Sequence, residues 1–308
     1  MLRQSLLKLS RNGRVQGLVE NAPITPELVS RFVAGTDRDE LVAVAADLAG
    51  KGLLTIVDHL GEDAATLEVA RAITDEYHSL LTSLAEAGLT ESAEIAVKLS
   101  ALGLGLTGGQ QIALDHAREL CRAAAEVGTK VTIDMEDHTT TDATLEVVRE
   151  LRRDHPETGL VLQAYLKRTE DDCREFAVEG ARVRLCKGAY ARVPGLSFAD
   201  DHEIDLAFVR CLRVLMEGDG YPMVATHDPR MIGITQGMAR MLERSRDSFE
   251  FQMLHGIRPL EQRRLVDIGY RSRVYLPYGT QWYEYFVRRV AEKPATVALI
   301  GRSLLSRR

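Results

Sequence analysis

Residues 130–166 read KVTIDMEDHTTTDATLEVVRELRRDHPETGLVLQAYL, and this stretch decides the fold. Its first segment, Lys130–Met135, is short, apolar and β-branched, which predicts a strand. Asp142–Arg153 spaces its apolar residues as one face of a helix. Leu160–Leu166 is a second apolar run of strand length. Strand, helix, strand is a βαβ unit, and the two strands of such a unit lie parallel.

The same alternation extends in both directions. Further strand-like runs fall at Leu53–His59, Ile95–Leu102, Arg182–Lys187, Tyr221–Thr226, Phe249–Leu254 and Arg273–Pro277. Helical patterns separate them at Ala64–Ala87, Gln110–Val127, Asp171–Val178, Asp200–Met216, Pro229–Glu243 and Pro259–Ile268. Gly88, Gly128, Gly180, Gly218 and Gly269 stand where helices end and are expected to supply left-handed C-caps. Eight such units in 308 residues favour an α/β chain closed into a (β/α)8 TIM-type barrel, with an open doubly wound sheet as the alternative. Residues 51–308 would form the barrel. Residues 1–50 would form an N-terminal helical extension, with Thr25-Pro26 and Asp37 as helix starts.

A net charge of −6 and the absence of a basic stripe argue against nucleic acid as a partner. Cys121, Cys173, Cys186 and Cys211 form no CxxC pair and no zinc spacing, so a reducing, cytoplasmic compartment is expected. No apolar run is long enough for a membrane span, and Arg11 and Arg14 interrupt what a signal peptide would need. Leu2–Val19 alternates basic and apolar residues, which reads as a solvated helix packed on the barrel or as a weak membrane-surface contact. Gly103-Leu-Gly-Leu-Thr-Gly108 spells a dinucleotide fingerprint. That motif needs an acid at the end of the next strand about 20 residues on, and here a helix pattern occupies that distance. It therefore reads as a strand-to-helix loop.

Alternate residues of a barrel strand point inward, and inner positions are expected to be apolar except near the C-terminal mouth. The runs end in polar groups instead: Lys98, Asp134, Gln163, Arg184 with Lys187, Thr226 with His227, Gln252 with His255, and Tyr275. A Lys98–Asp134 bridge between neighbouring strands would explain two of them structurally. Polar side chains at one height on so many strands describe a ligand pocket. Its positive members, Lys98, Arg184, Lys187 and the Arg288-Arg289 pair, imply an anionic ligand. Arg288 and Glu292, at i,i+4, also fit an ordinary exposed ion pair.

At this point the chain resembles the proline dehydrogenase family, in its single-function bacterial form and as the corresponding domain of bifunctional proline-utilisation proteins. The matching stretches are Val57–Glu62 (VDHLGE), Ala96–Ser100 (AVKLS), Ile133–Asp137 (IDMED), Leu162–Leu166 (LQAYL), Arg184–Tyr190 (RLCKGAY), Ala225–His227 (ATH), Phe249–Gly256 (FEFQMLHG), Tyr275–Gly279 (YLPYG) and Tyr285–Glu292 (YFVRRVAE). The resemblance implies a distorted barrel holding FAD without a covalent bond. It implies oxidation of L-proline to 1-pyrroline-5-carboxylate, the first step of proline degradation to glutamate, with hydride passing from proline carbon five to flavin N5. It further implies a quinone-type acceptor, reached through peripheral contact at the inner face of the membrane.

By the same resemblance, Lys98 and Asp134 line the proline site, and Arg184 lies against the flavin near its reactive nitrogen. Met135, through its backbone, and Gln163 meet the ring system. Lys187, Gly188 and Ala189 with Thr226 and His227 hold the ribityl and phosphate parts. Tyr275 packs on the substrate ring, Arg288 and Arg289 grip the carboxylate, and Glu292 positions that pair. Bidentate arginine suits a carboxylate, and glycine at 188 allows close backbone approach. No discrete general base is assigned; Asp134 would act by fixing Lys98. Three departures stand out: Cys186 for a commoner valine, Asp228 where asparagine is frequent, and Arg192-Val193 for an acidic-Pro pattern. Asp228 bears most on phosphate binding, since it adds negative charge.

The same strand-end residues also suit other chemistries on a barrel. His59, His138, His227 and His255 near strand ends raise a metal-dependent hydrolase, but the first run lacks the HxH pair expected of one, and no metal is expected. Lys98, Lys167 and Lys187 raise a Schiff-base aldolase. Binding of proline or flavin without turnover is a third reading, against which an intact arginine clamp argues.

Overall fold

The computed structural model describes residues 29–61 and 63–292. The helix expected within Leu2–Val19 and the start at Thr25-Pro26 lie outside the described residues. The strands are β1 Leu54–His59, β2 Ala93–Lys98, β3 Val131–Asp134, β4 Gly159–Gln163, β5 Arg182–Cys186, β6 Tyr221–Ala225, β7 Glu250–Leu254 and β8 Arg271–Tyr278. The helices are α1 Arg38–Gly50, α2 Leu67–Glu86, α3 Gly109–Glu126, α4 Thr141–Asp154, α5 Thr169–Phe176, α6 Asp201–Glu217, α7 Pro229–Met241, α8 Pro259–Asp267 and α9 Tyr283–Glu292. The strands pair in sequence order, all parallel, and β8 closes on β1.

Strand–helix alternation leaves each strand apolar on its outer face, where the helices pack. Tyr77 and Leu84 of α2, Leu120 of α3, Leu151 of α4 and Phe208 of α6 are buried in one continuous core with Ile95, Ile133, Leu160 and Val224 of the strands. Burying a large aliphatic or aromatic side chain contributes about 1.5–3 kcal/mol. Asp37 caps α1, accepting from Glu40 N at 3.0 Å, so the start expected there is present.

The structure departs from the expected pattern at two places. Gly218 does not adopt a left-handed cap: its φ is −78°, and the residue is needed because a Cβ would lie 2.4 Å from Ala177 O. The second strand stops at Lys98 rather than Leu102, because Leu99–Gly108 folds into successive turns that accept their own backbone bonds, such as Leu104 N to Leu99 O at 2.9 Å. The glycine-rich segment is thus a loop, with Gly103 at φ +102° and Gly108 at φ +71°.

The barrel is distorted at its closure. The helix after the last strand of a regular (β/α)8 barrel packs on the outer wall beside it. Here α1 lies against β1 and β8 instead, with Leu41 and Ala45 in the core. α9 joins a separate apolar cluster: Tyr285 and Phe286 pack with Val29, Phe32, Val33, Leu60 and Ile257. Leu60 and Ile257 follow the C-terminal ends of β1 and β7, so α9 sits over the mouth. Backbone bonds from Ala34 N to Pro277 O (2.8 Å) and from Gly279 N to Gly35 O (3.0 Å) fix the segment beneath it.

Candidate active site

The inward positions of the strands form two polar layers. The lower one was not expected. Glu94, Arg182, Glu250 and Arg273 stand at or near the N-terminal ends of their strands, all nearly inaccessible. Arg182 Nη2 donates to Glu94 Oε2 at 2.5 Å, and Arg273 grips Glu250 through Nε (2.7 Å) and Nη2 (3.0 Å). The expectation of an apolar interior below the mouth fails because these charges are matched one to one and hydrogen-bonded, which makes their burial tolerable. Burial pushes the Glu250 carboxyl up, but Arg273 and Arg182 outweigh it and hold it down at about 2.

The upper layer lies at the mouth. Lys98, Asp134 and Gln163 are brought there by the last residues of β2, β3 and β4, and Arg184 and Tyr275 by inward positions within β5 and β8. The Lys98–Asp134 bridge is absent, although the two residues are registered neighbours on β2 and β3. Both Asp134 oxygens are already taken: Arg184 Nη1 donates to Oδ1 at 2.5 Å and Tyr275 OH to Oδ2 at 2.7 Å. Lys98 turns the other way and donates to Asp58 Oδ1 of β1 at 2.5 Å. Asp134 therefore fixes Arg184 and Tyr275 rather than Lys98. Asp58, 2 % exposed, is a site residue that sequence reasoning missed. Its signal was a carboxylate inside the apolar run Leu53–His59.

Electrostatics follow from burial. Burial raises the Asp58 carboxyl, with Lys98 offsetting only part. Burial pulls the Lys98 ammonium down, but Asp58 and Asp134 together outweigh it and hold it above its ordinary value. A Schiff-base lysine needs a lowered value, so Lys98 is unsuited to the aldolase reading. Burial, then Asp134 and Asp58, push the Tyr275 phenol well up, keeping it a donor.

Arg184 is fixed on two sides, since its Nε donates to Gln252 Oε1 at 2.5 Å. Its Cζ lies 5.5 Å from the Tyr275 ring centroid, within cation–π range. Its Nη2 is buried with no hydrogen-bond partner. Gln163 Nε2 donates to Glu136 O at 2.7 Å, and Glu136 in turn accepts from Ser100 N at 3.0 Å. Met135, between Asp134 and Glu136, is buried.

The remaining expected residues group to one side. Gly188 has φ +99°, and a Cβ there would lie 2.3 Å from Cδ1 of the Tyr165 ring; Gly188 and Ala189 are exposed. Thr226 Oγ1 accepts from Asp228 N at 3.1 Å, and His227 Nε2 accepts from Leu254 N at 3.0 Å. Lys187 is engaged by Asp205 and, at 3.1 Å, by Asp228. Asp228 also caps α7 by accepting from Arg230 N at 2.9 Å. Arg230, then Lys187, hold its carboxyl well below the usual range. The departure at 228 thus gives Lys187 a fixed anionic partner. Burial pushes the Cys186 thiol up to about 11, so it packs as a small apolar group.

On α9, Arg289 Cζ lies 5.3 Å from the Tyr285 ring centroid. The backbone carries positions 288 and 292 over the mouth, while the side chains of Arg288 and Glu292 lie outside what is described. Of the histidines, His59 packs against Tyr77 and Tyr278, at 6.2 and 5.2 Å between centroids.

The buried, unpartnered Arg184 Nη2 and the exposed backbone at Gly188 and Ala189 fit a planar, anionic cofactor such as a flavin. Among the described residues no helix is long and apolar enough to cross a membrane.

Comparison with known proteins gives consistent results. The family model described as proline dehydrogenase matches residues 41–300. Proline dehydrogenase 1 of Bacillus subtilis (strain 168) is 36% identical over 307 residues, covering 100% of both chains. Proline dehydrogenase of Deinococcus radiodurans is 33% identical over 310 residues, covering 99% of this chain and 98% of that one. Among solved structures, proline utilization A from Bdellovibrio bacteriovorus, inactivated by N-propargylglycine, superposes with a TM-score of 0.80 at 27% identity. The match covers 87% of this chain and 33% of that longer protein.

Proposed function

Because the chain belongs to the proline dehydrogenase family, we propose that it oxidises L-proline to 1-pyrroline-5-carboxylate using non-covalently bound FAD. The observation that carries this reading is the upper layer itself. Asp134, bonded to both Arg184 and Tyr275, stands beside the Lys98–Asp58 pair, with Arg184 Nη2 buried and without a hydrogen-bond partner.

FAD, when bound, would supply the two-electron acceptor for the hydride that leaves carbon five of proline, while the nitrogen's proton is released to solvent as the C=N bond forms. Arg288 and Arg289 hold the substrate carboxylate, with Glu292 positioning them, and their place on α9 over the mouth orients the ring downward. Tyr275 offers its face to the pyrrolidine ring while its hydroxyl stays tied to Asp134. Arg184 keeps a positive charge where negative charge accumulates on reduction. Lys98, held protonated by Asp58, adds to that field. Met135 and Gln163 meet the ring system, and Lys187, Gly188, Ala189, Thr226 and His227 hold the ribityl and phosphate parts. Lys187 does so with its charge already met by two carboxylates.

We take residues 51–308 as the catalytic barrel and 1–50 as the helical extension whose last helix completes the wall. Electrons pass on to a quinone-type acceptor, from a cytoplasmic protein in peripheral contact with the inner face of the membrane. The reading is tested by purifying the chain with FAD, releasing the chromophore with acid, and trapping the product with ortho-aminobenzaldehyde. Free FAD and a yellow dihydroquinazolinium adduct are expected. A chain that takes up no flavin would contradict the reading.

A further inference from the structure

The lower ionic layer and the mouth are joined through one side chain. Gln252 Oε1 accepts from Arg184 Nε at 2.5 Å, and Gln252 Nε2 donates to Glu250 Oε1 at 2.5 Å. Glu250 is held by Arg273, which also donates from Nη1 to Thr55 O at 2.8 Å. All of these groups are buried, and Gln252 is 3 % exposed.

An amide has one acceptor end and one donor end. The guanidinium above can only donate and the carboxylate below can only accept. Glutamine is therefore the side chain of this length that satisfies both partners while carrying no charge of its own. Its orientation is dictated from both sides. Arg184 consequently has Nη1 on Asp134 and Nε on Gln252, and these two anchors define where its unpartnered Nη2 points.

We infer that Gln252 is a positioning residue for the oxidation. It fixes the Arg184 guanidinium against the core's ionic layer, so that Nη2 is presented to the flavin and the reduced, anionic ring is stabilised. The inference rests on the FAD reading of the site. It does not require Gln252 to touch substrate or cofactor. It also gives the buried ions a use beyond stability, as a rigid anchor for the second side of the Arg184 guanidinium.

The test uses Gln252→Met and Gln252→Glu in the full chain loaded with FAD. Met keeps the length and loses both bonds. Removing a hydrogen bond to a charged group corresponds to about a 10- to 100-fold change. A fall in kcat of that size is expected, with a more negative flavin potential. The proline KM and FAD content should stay nearly unchanged, because the clamp on α9 is untouched.

Glu behaves differently. Its neutral carboxyl can accept from Arg184 and donate to Glu250, as glutamine does. Ionised, it loses the donor and faces Glu250 as a like charge. The Gln252→Glu variant should approach the parent's potential and kcat at low pH. It should depart from both as pH rises, in a phase the parent lacks.

A Gln252→Met protein that melts earlier but keeps the parent's potential and kcat would overturn the inference. So would a Gln252→Glu profile parallel to the parent's at every pH. If Met fails to fold, the Glu profile alone decides. Failure of the FAD reading is separately visible, because the parent itself would then hold no flavin.

Discussion

Asp134 on β3 and Arg184 on β5 meet at 2.5 Å across the end of β4, which separates their strands in the barrel wall. The pair is buried, and Tyr275 on β8 and Gln252 on β7 complete it from the far side of the barrel. The strand ends are thus joined across the mouth as well as around it. Removing either charge strands the other, which typically costs about 3–5 kcal/mol. Asp134→Ala and Arg184→Met should each lower stability by amounts of that order. The double variant should lose clearly less than the sum, with a coupling of roughly 0.5–3 kcal/mol. Urea unfolding of the four proteins measures this. Additive losses would mean that the two groups do not depend on each other.

The Lys98–Asp58 pair makes a second prediction. Lys98→Met leaves a buried carboxylate unpaired, and stability should drop by about 3–5 kcal/mol. Adding Asp58→Asn removes the stranded charge and should recover most of that loss. Activity should not recover, because the cation at the mouth is still missing. Thermal melts and steady-state kinetics on the same preparations separate the two effects.

A third concerns acid. Glu250 is held at about 2 in the folded chain against an ordinary 4.5. Between those values the unfolded chain binds the extra proton, so stability rises with pH there. The contribution is complete above about 4.5 and is lost as pH falls toward 2. Glu250→Gln should be less stable at neutral pH and show a shallower loss across that window. A variant with the parent's acid profile would place the acid sensitivity elsewhere.

Much of this was legible beforehand, for physical reasons that differ by residue. The eight strands were readable because the core-facing outer side of each, such as Ile95 and Val97 on β2, must be apolar whatever the inner side carries. The mouth residues Lys98, Asp134 and Arg184 were readable because charge inside an apolar run demands a reason. Their partnering was not. Strand register makes Lys98 and Asp134 neighbours, but a long side chain chooses among all carboxylates within reach: Lys98 takes Asp58 on β1, the neighbour on its other side, and Asp134 is taken by Arg184 two strands away on β5. The lower layer escaped because Glu94, Arg182, Glu250 and Arg273 each sit at or close to a strand's edge, where a charge normally reaches water. Only barrel closure buries them. The placement of α9 over the mouth follows from tertiary contacts with Phe32 and Ile257, which no local pattern encodes.

The loop after β5 gives a fourth prediction. Gly188 adopts φ +99° with Tyr165 against it, and alanine there would both strain the backbone and meet the ring. Strain of this kind is roughly 1–3 kcal/mol. Gly188→Ala should bind FAD markedly more weakly, read by titrating the apoprotein and following quenching of flavin fluorescence. Unchanged affinity would remove this loop from the cofactor's surroundings.

The most direct test is anaerobic addition of L-proline to the FAD-loaded chain, followed through the absorbance of oxidised flavin. Complete bleaching is expected of the parent, and bleaching of Arg288→Met only at much higher proline, with its FAD content intact. A yellow protein that proline never bleaches would contradict it, as would an Arg288→Met protein that bleaches at the same proline concentrations as its parent.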